Sequence, residues 1–396
     1  MKYSCMTGLK KVLEDNILAF WINKMQDNEN GGFYGRMDGN DVLHPQANKG
    51  AVLNARILWT FSAAYRLCHK PEYLDMAERA FNYIIEKFID PVHGGVYWEL
   101  DYQGNPVNEK KQTYAQGFAL YGFSEFHRAT GNDKALEFAK EFFFLLEKCH
   151  DNELGGYLEA YTRDWKAIED VRLSDKDANE KKTMNTHLHV LEPYTNLYRI
   201  WQDPQLATAQ RRLIAIFTER ILDKSTYHLH LFFDEVWNLK SSGISYGHDI
   251  EASWLLYEAA EILGDVNLTK KIRQISLNIA DAAAEGLQPD GSMIYESSPL
   301  PCEEGLDRHW WVQAETVTGM MYAYKNSHDA AYYEYAKQTW QYIQDKLIDR
   351  KNGEWHWSRK ADGNINYTDD KAGFWKCPYH NSRMCLEILE MQVILP

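Results

Sequence analysis

Cysteine is scarce in this chain and badly spaced for anything but packing. The six of them, Cys5, Cys68, Cys149, Cys302, Cys377 and Cys385, never fall into a C-x-x-C pattern, so neither a disulfide framework nor a zinc knuckle is expected. Basic residues are also short: 43 Lys and Arg stand against 57 Asp and Glu, a formal net charge of -14, which argues against nucleic acid and anionic membranes as partners. No apolar run approaches the ~18 residues that a membrane span needs. The opening stretch MKYSCMTGLKKVLEDNILAFW has neither an unbroken apolar core nor a small-residue cleavage site, so a cytoplasmic protein is expected. Phosphate cradles of the GxGxxG or GxxxxGK[ST] kind are missing too, which argues against nucleotide chemistry. These exclusions leave a neutral small molecule as the expected partner of a monomer or weak homo-oligomer.

What the chain does have is a repeat. Short Gly/aromatic segments begin at Gly31, Gly94, Gly155, Leu231, Gly291 and Gly353, and successive starts are 63, 61, 76, 60 and 62 residues apart. A fixed period of this length is the mark of a repeat architecture. Turn residues such as Asp101-Tyr-Gln-Gly104 and Ala361-Asp-Gly363 end several of the segments, which suits short hairpins. Between them the pattern is helical and of two kinds. The helix before a segment is amphipathic: Ala135, Leu136, Ala139, Phe142, Phe143 and Leu146 share one stripe, with Lys134, Glu137, Lys140, Glu141 and Glu147 outside it. The helix after it, as in Tyr114-Ala-Gln-Gly-Phe-Ala-Leu-Tyr-Gly-Phe123, is apolar nearly all round and must be buried on all sides.

Outer helix, hairpin, inner helix, repeated six times in units of about 60 residues, predicts an all-α fold. The expected architecture is an (α/α)6 barrel of six inner and six outer helices with short β-hairpin segments at one mouth. The whole chain, 1–396, is read as one catalytic domain. Closure explains why neither end carries a polar capping repeat, as an open solenoid should. The one long interval holds a charge-rich insertion from Arg163 to Met184, expected as a mobile loop over a mouth of the barrel.

If every hairpin precedes an inner helix, the N-termini of all six open on one mouth, and polar residues collect there. Arg56 and Tyr114 lie on the first two inner helices, Asn185 and His189 at i and i+4 on the third, with Glu192 at i+3 from His189. The fourth carries His248, Glu251 and Trp254 on one side, the fifth Trp311 and Glu315 at i and i+4, and Trp375 and His380 approach the sixth. Each has a plainer reading: a hydrogen-bonded core histidine, a structural ion-pair arginine, a core tyrosine. No metal is expected, because His187 turns ~200° away from His189 and zinc or iron needs three or four ligands at short, defined separations. Flat indoles beside Arg, Glu, Asn and His suit a sugar, whose C–H faces stack while its hydroxyls hydrogen-bond. Two histidines on different inner helices point to proton transfer rather than hydrolysis, since imidazole titrates near neutrality. Inverting a carbon next to a carbonyl needs such a pair, with Arg56 and His189 suited to the enediolate between, and it needs no cofactor.

Four motifs carry a resemblance: Asn185-Thr-His-Leu-His-Val-Leu-Glu-Pro-Tyr-Thr-Asn-Leu-Tyr198, Tyr246-Gly-His-Asp-Ile-Glu-Ala-Ser-Trp254, Trp310-Trp-Val-Gln-Ala-Glu315 and Trp375-Lys-Cys-Pro-Tyr-His380. Together they are similar to the cellobiose 2-epimerase branch of the N-acylglucosamine 2-epimerase superfamily, over essentially the whole chain. The resemblance implies an (α/α)6 barrel and reversible 2-epimerisation of the reducing-end sugar of β-1,4-linked disaccharides such as cellobiose, lactose or mannobiose. It further implies His248 and His380 as the acid/base pair, His189 as an aid to ring opening and Arg56 as the holder of the enediolate oxygens. By the same resemblance Tyr114, Asn185, Glu251 and Glu315 hydrogen-bond the substrate, and Trp311, Trp375 and Trp254 contact it. Pro193 departs from the pattern and, by removing a donor one turn past His189, bears on that residue's aim. Other readings are an N-acylglucosamine 2-epimerase, a monosaccharide aldose-ketose isomerase, a glycoside hydrolase using Glu251 and Glu315, and a non-catalytic sugar binder.

Overall fold

Which helices go inside follows from what each can bury. In the helix Ala51–Cys68 every residue from Ala51 to Ala64 is buried, which only a ring of neighbours can achieve. In Asp133–Lys148 only one stripe is buried, while Lys134, Glu137 and Glu141 are exposed. The computed structural model describes residues 6, 8–175, 177–297 and 303–394, and twelve helices alternate through them. The outer set is 9–24 (α1), 71–88 (α3), Asp133–Lys148 (α5), 204–221 (α7), 266–286 (α9) and 330–347 (α11). The inner set is Ala51–Cys68 (α2), Thr113–Thr130 (α4), Met184–Tyr198 (α6), Tyr246–Ile262 (α8), Trp310–Ser327 (α10) and Tyr379–Ile394 (α12). Consecutive inner helices pack side by side and α12 returns against α2. The ring therefore closes, as the (α/α)6 reading requires.

The hairpins clip each repeat to the next. The two residues before an inner helix pair antiparallel with the following repeat's hairpin: Lys49–Gly50 with Glu99–Leu100, Lys111–Gln112 with Ala160–Tyr161, and Lys182–Thr183 with Phe232–Phe233. Ile244–Ser245 with Glu296–Ser297 and Arg308–His309 with Ser358–Arg359 continue the series, and a bridge from Met37 to Ala372 joins the last repeat to the first. Electrostatic latches reinforce the clips. Asp27, Asp90 and Asp151 each follow an outer helix and accept two backbone N–H groups of the next turn. Each also receives a buried lysine from just before the next inner helix, Lys49 at 2.7 Å, Lys111 at 3.1 Å and Lys182 at 2.8 Å. Asp349 and Lys371 repeat the arrangement.

Four inner helices also hold the preceding hairpin through their fourth residue. Gln116 and Gln313 bond both backbone groups of Val96 and Met293, while His187 and Asp249 accept the N–H of Tyr157 and Leu229, each at 2.9 Å. His187 is thus structural. The insertion lies over the mouth, yet it is pinned rather than loose. Trp165 Nε1 donates to the His93 carbonyl at 2.8 Å, Gln112 Nε2 to that of Arg172 at 2.7 Å, and Val171 is buried. Lys176 falls outside the described residues. Among those described, no helix is long and apolar enough to cross a membrane.

Candidate active site

Because the inner helices start at one level, equivalent positions form rings around the axis. Their second residues include Tyr114, Asn185, Trp311 and His380, at the rim. The sixth residues of the first five are Arg56, Phe118, His189, Glu251 and Glu315, one turn deeper on the same face. Helix α8 departs from the rim pattern. It has Gly247 at the second position, where an added Cβ would meet the Trp311 ring at 2.6 Å, and His248 follows. A cavity of about 1000 Å³ opens here. That is the upper end of the roughly 300–1000 Å³ usual for small-molecule sites. Arg56, Tyr114, Asn185, His189, His248, Glu251, Trp311, Trp375 and His380 all line it.

His248 and His380 flank one indole. Their ring centroids lie 4.9 and 5.6 Å from that of Trp311, so both face the same space. Each ring is tied back through Nδ1, His248 to the Ser245 hydroxyl at 2.8 Å and His380 to Glu315 at 2.7 Å, which leaves Nε2 for the cavity. His189 pairs through Nδ1 with Glu192 at 3.1 Å. Burial pushes the His248 imidazole down to about 3, with His189 adding to the shift and Glu315 opposing it. Burial and then the Arg56 and Arg383 charges hold His380 well below the usual imidazole range. Burial lowers His189 as well, against the pull of Glu192. All three rings are neutral near pH 7, the state in which an imidazole can take a proton.

Beneath the histidines lies a charge cluster built on Arg383. One Nη donates to Glu251 at 2.5 Å and Glu315 at 2.7 Å, and the other contacts Glu192 and the Tyr379 hydroxyl. Glu251, Glu315 and His380 bring ligand atoms within 4.8 Å of one another, but the guanidinium already supplies a positive charge between the two carboxyl groups. Burial and the neighbouring Glu315 push Glu251 up to about 8, so it keeps its proton at neutral pH. Its Oε2 has no hydrogen-bond partner among the described residues and lies 4.0 Å from His189 Nε2. Arg56 presents the opposite case. It is 3% exposed, donates to the Tyr114 hydroxyl at 2.8 Å and packs over Phe118, yet no carboxylate pairs with it among the described residues and its Nε is unpartnered. A buried cation left without an anion is costly unless a ligand brings one.

The N-acylglucosamine 2-epimerase (GlcNAc 2-epimerase) family matches residues 32–383. The chain belongs to that family. A cellobiose 2-epimerase of Bacteroides fragilis is 55% identical over 382 residues, 96% of this chain and 97% of the relative. One from Ruminococcus albus is 38% identical, covering 97% and 98%. The solved cellobiose 2-epimerase of Bacillus thermoamylovorans superposes with a TM-score of 0.94 at 40% identity, over 98% of this chain and 99% of that one. The protein is therefore a carbohydrate epimerase of the N-acylglucosamine 2-epimerase family.

Two expected substrate contacts in this epimerase stand elsewhere. Trp254 does not line the cavity: its indole N–H donates to Glu315 at 3.1 Å and its ring stacks on Tyr322 at 5.2 Å. Glu315 sits behind His380 instead of facing a sugar, because its oxygens are taken by His380, Arg383 and Trp254. That placement also removes the pair of carboxylates a glycosidase would set on either side of a glycosidic bond. Sequence reasoning missed Arg383, Glu192 as a site residue, and Ser245. A signal existed for the first: an arginine three residues after His380, in a helix buried all round, must find carboxylates. Ser245 precedes α8 and left no periodic signal.

Proposed function

We propose that this epimerase inverts C2 of the reducing-end sugar in β-1,4-linked disaccharides such as cellobiose, lactose or mannobiose, through a ring-opened enediolate and without a cofactor. The observation that carries the reading is the placement of His248 and His380 against the indole of Trp311, with Arg56 in the same cavity and no carboxylate paired to it among the described residues. One imidazole takes the C2 proton from one face of the carbon. The other returns a proton to the opposite face, and the roles exchange for the reverse reaction. Arg56 and the Tyr114 hydroxyl hold the enediolate oxygens, where negative charge develops.

The cycle needs one proton beyond the two neutral rings. Glu251 is its store: it is protonated near neutrality and its free Oε2 lies 4.0 Å from His189 Nε2. His189, tied to Glu192, stands where it can pass a proton during ring opening. The names of the similar proteins and the size of the cavity favour a disaccharide over a monosaccharide. Trp311 and Trp375 supply the stacking faces, and Asn185 a polar contact.

Incubation with cellobiose in D2O tests the proposal. The expected product is the C2 epimer with deuterium at C2 and an unchanged number of sugar units. Release of monosaccharides, or no turnover of any reducing disaccharide, would overturn it. His248→Ala and His380→Ala are each expected to abolish turnover with the helical signal intact.

A further inference from the structure

The two imidazoles at the cavity are not held alike. His380 Nδ1 meets Glu315, whose oxygens are fixed by Arg383 and by the Trp254 indole N–H. Glu315 Oε1 accepts from Arg383 and Oε2 from Trp254, so Oε1 meets His380 Nδ1 as an acceptor, the proton on Nδ1 is fixed and Nε2 is left as the reacting atom. His248 Nδ1 meets a neutral hydroxyl, Ser245 Oγ, at 2.8 Å. A hydroxyl both donates and accepts, so it tolerates either tautomer of the ring it faces.

Several features show that Ser245 is placed with care. It is 1% exposed and immediately precedes α8, three residues before His248. It does not cap the helix through its side chain, which leaves the hydroxyl for the imidazole. Its backbone is fixed in the clip to the next repeat, with Glu296 directly opposite. In an antiparallel ladder opposed side chains leave the same face, so Ser245 has a carboxylate neighbour across the strand. Glu296 itself reaches the cavity wall.

Building on the epimerase reading, we propose that Ser245 is a positioning residue that aims His248 and holds its Nδ1–H through a neutral hydroxyl, where His380 is held by the carboxyl group of Glu315. When His248 is the base, Nδ1–H donates to Ser245 Oγ, Nε2 takes the C2 proton and the ring becomes an imidazolium. When His248 is the acid, the imidazolium gives the Nε2 proton back and returns to the neutral ring, with Nδ1–H still on Ser245 Oγ. Nε2 is thus the reacting atom in both directions, which suits a reaction run both ways.

The test is kinetic and spectroscopic, on Ser245→Ala and Ser245→Thr, with cellobiose and its 2-epimer as substrates. Loss of one hydrogen bond to the reacting ring predicts a fall in kcat of about tenfold or more in Ser245→Ala, with KM within about twofold. Ser245→Thr, which keeps the hydroxyl, is expected to recover most of kcat. Imidazole 15N spectra of the free enzyme should show the His248 tautomer balance altered in Ser245→Ala and restored in Ser245→Thr, while His380 stays unchanged. Wild-type kcat in Ser245→Ala would overturn the proposal. So would a loss of kcat with an unaltered His248 spectrum, which would mark a purely structural role. Should the wild type fail to turn over any disaccharide, the epimerase reading falls, and the 15N arm still decides whether Ser245 governs the ring.

Discussion

Arg56 shows how a single side chain separates a functional from a structural reading. An ion-pair arginine would have a carboxylate partner, whereas Arg56 has aromatic rings and one hydroxyl. Arg56→Met is expected to lower kcat by roughly 10² to 10³, the scale of losing a donor to a developing oxyanion. The same change should leave the melting temperature equal or higher, because it removes a buried unpaired charge. A fall in melting temperature with kcat unchanged would return Arg56 to a structural role. Glu251 makes a prediction of pH dependence. Burial and the neighbouring Glu315 push its carboxyl up to about 8 in the folded state against 4.5 ordinarily, so between those values the folded state binds more protons than the unfolded one. Stability should therefore fall as pH rises from about 4.5 to 8 and then level off. Glu251→Gln removes that slope, and it should also remove the stored proton and lower kcat. Thermal denaturation from pH 5 to 8, compared between the two proteins, checks it; parallel curves would refute the assignment.

At the scale of elements, the proline in α6 has a partner that sequence alone did not reveal. Pro193 lacks the N–H that would bond the His189 carbonyl four residues back. Gly117 of α4 packs against that carbonyl, where an added Cβ would stand 2.5 Å from the oxygen. The bare glycine lets two inner helices approach at the level of His189. Gly117→Ala is expected to cost about 1–3 kcal/mol through overpacking and to lower kcat by displacing His189. Denaturant unfolding with steady-state kinetics would detect both effects, and a neutral outcome in each would show that the helices can separate freely. The rim and deeper positions were legible in the sequence because i and i+4 spacing on an inner helix fixes a face. Trp254 was misplaced because its side chain extends away from the cavity toward the neighbouring α10, a choice that depends on the partner helix. The hold of Ser245 and Arg383 on the histidines likewise depends on rotamers and on packing between helices, which periodicity does not encode.

For the molecule as a whole, the period of the Gly/aromatic segments was enough to predict the barrel, since the regular amphipathic and all-apolar helices admit few other closed arrangements. The pinning of the insertion was not legible, because its ties run to backbone carbonyls of its own residues and of other repeats. The aspartate latches predict acid behaviour. For Asp27 and Asp151 burial opposes ionisation, but the lysine and backbone N–H groups outweigh it and hold both below the usual range. Asp349 is likewise brought down to about 2, against burial, by Lys371 and the turn N–H groups. A carboxylate lowered on folding contributes stability that is present above its unfolded pKa of ~3.9 and is lost as pH falls through the folded value. The melting temperature should therefore drop steeply between about pH 4 and 2, and Asp349→Asn should flatten part of that drop. An unchanged profile would mean that the latches do not hold the repeats together.

The two rings of equivalent positions carry one more consequence. Aromatic and amide groups stand at the entrance beside the two acid/base histidines, whereas His189 and Glu251 lie a helical turn below. A change at Asn185, the entrance residue of α6, thus retunes which sugars are admitted while His189 and Glu251 keep their wiring below. A barrel of this kind can diversify its diet without relearning its chemistry.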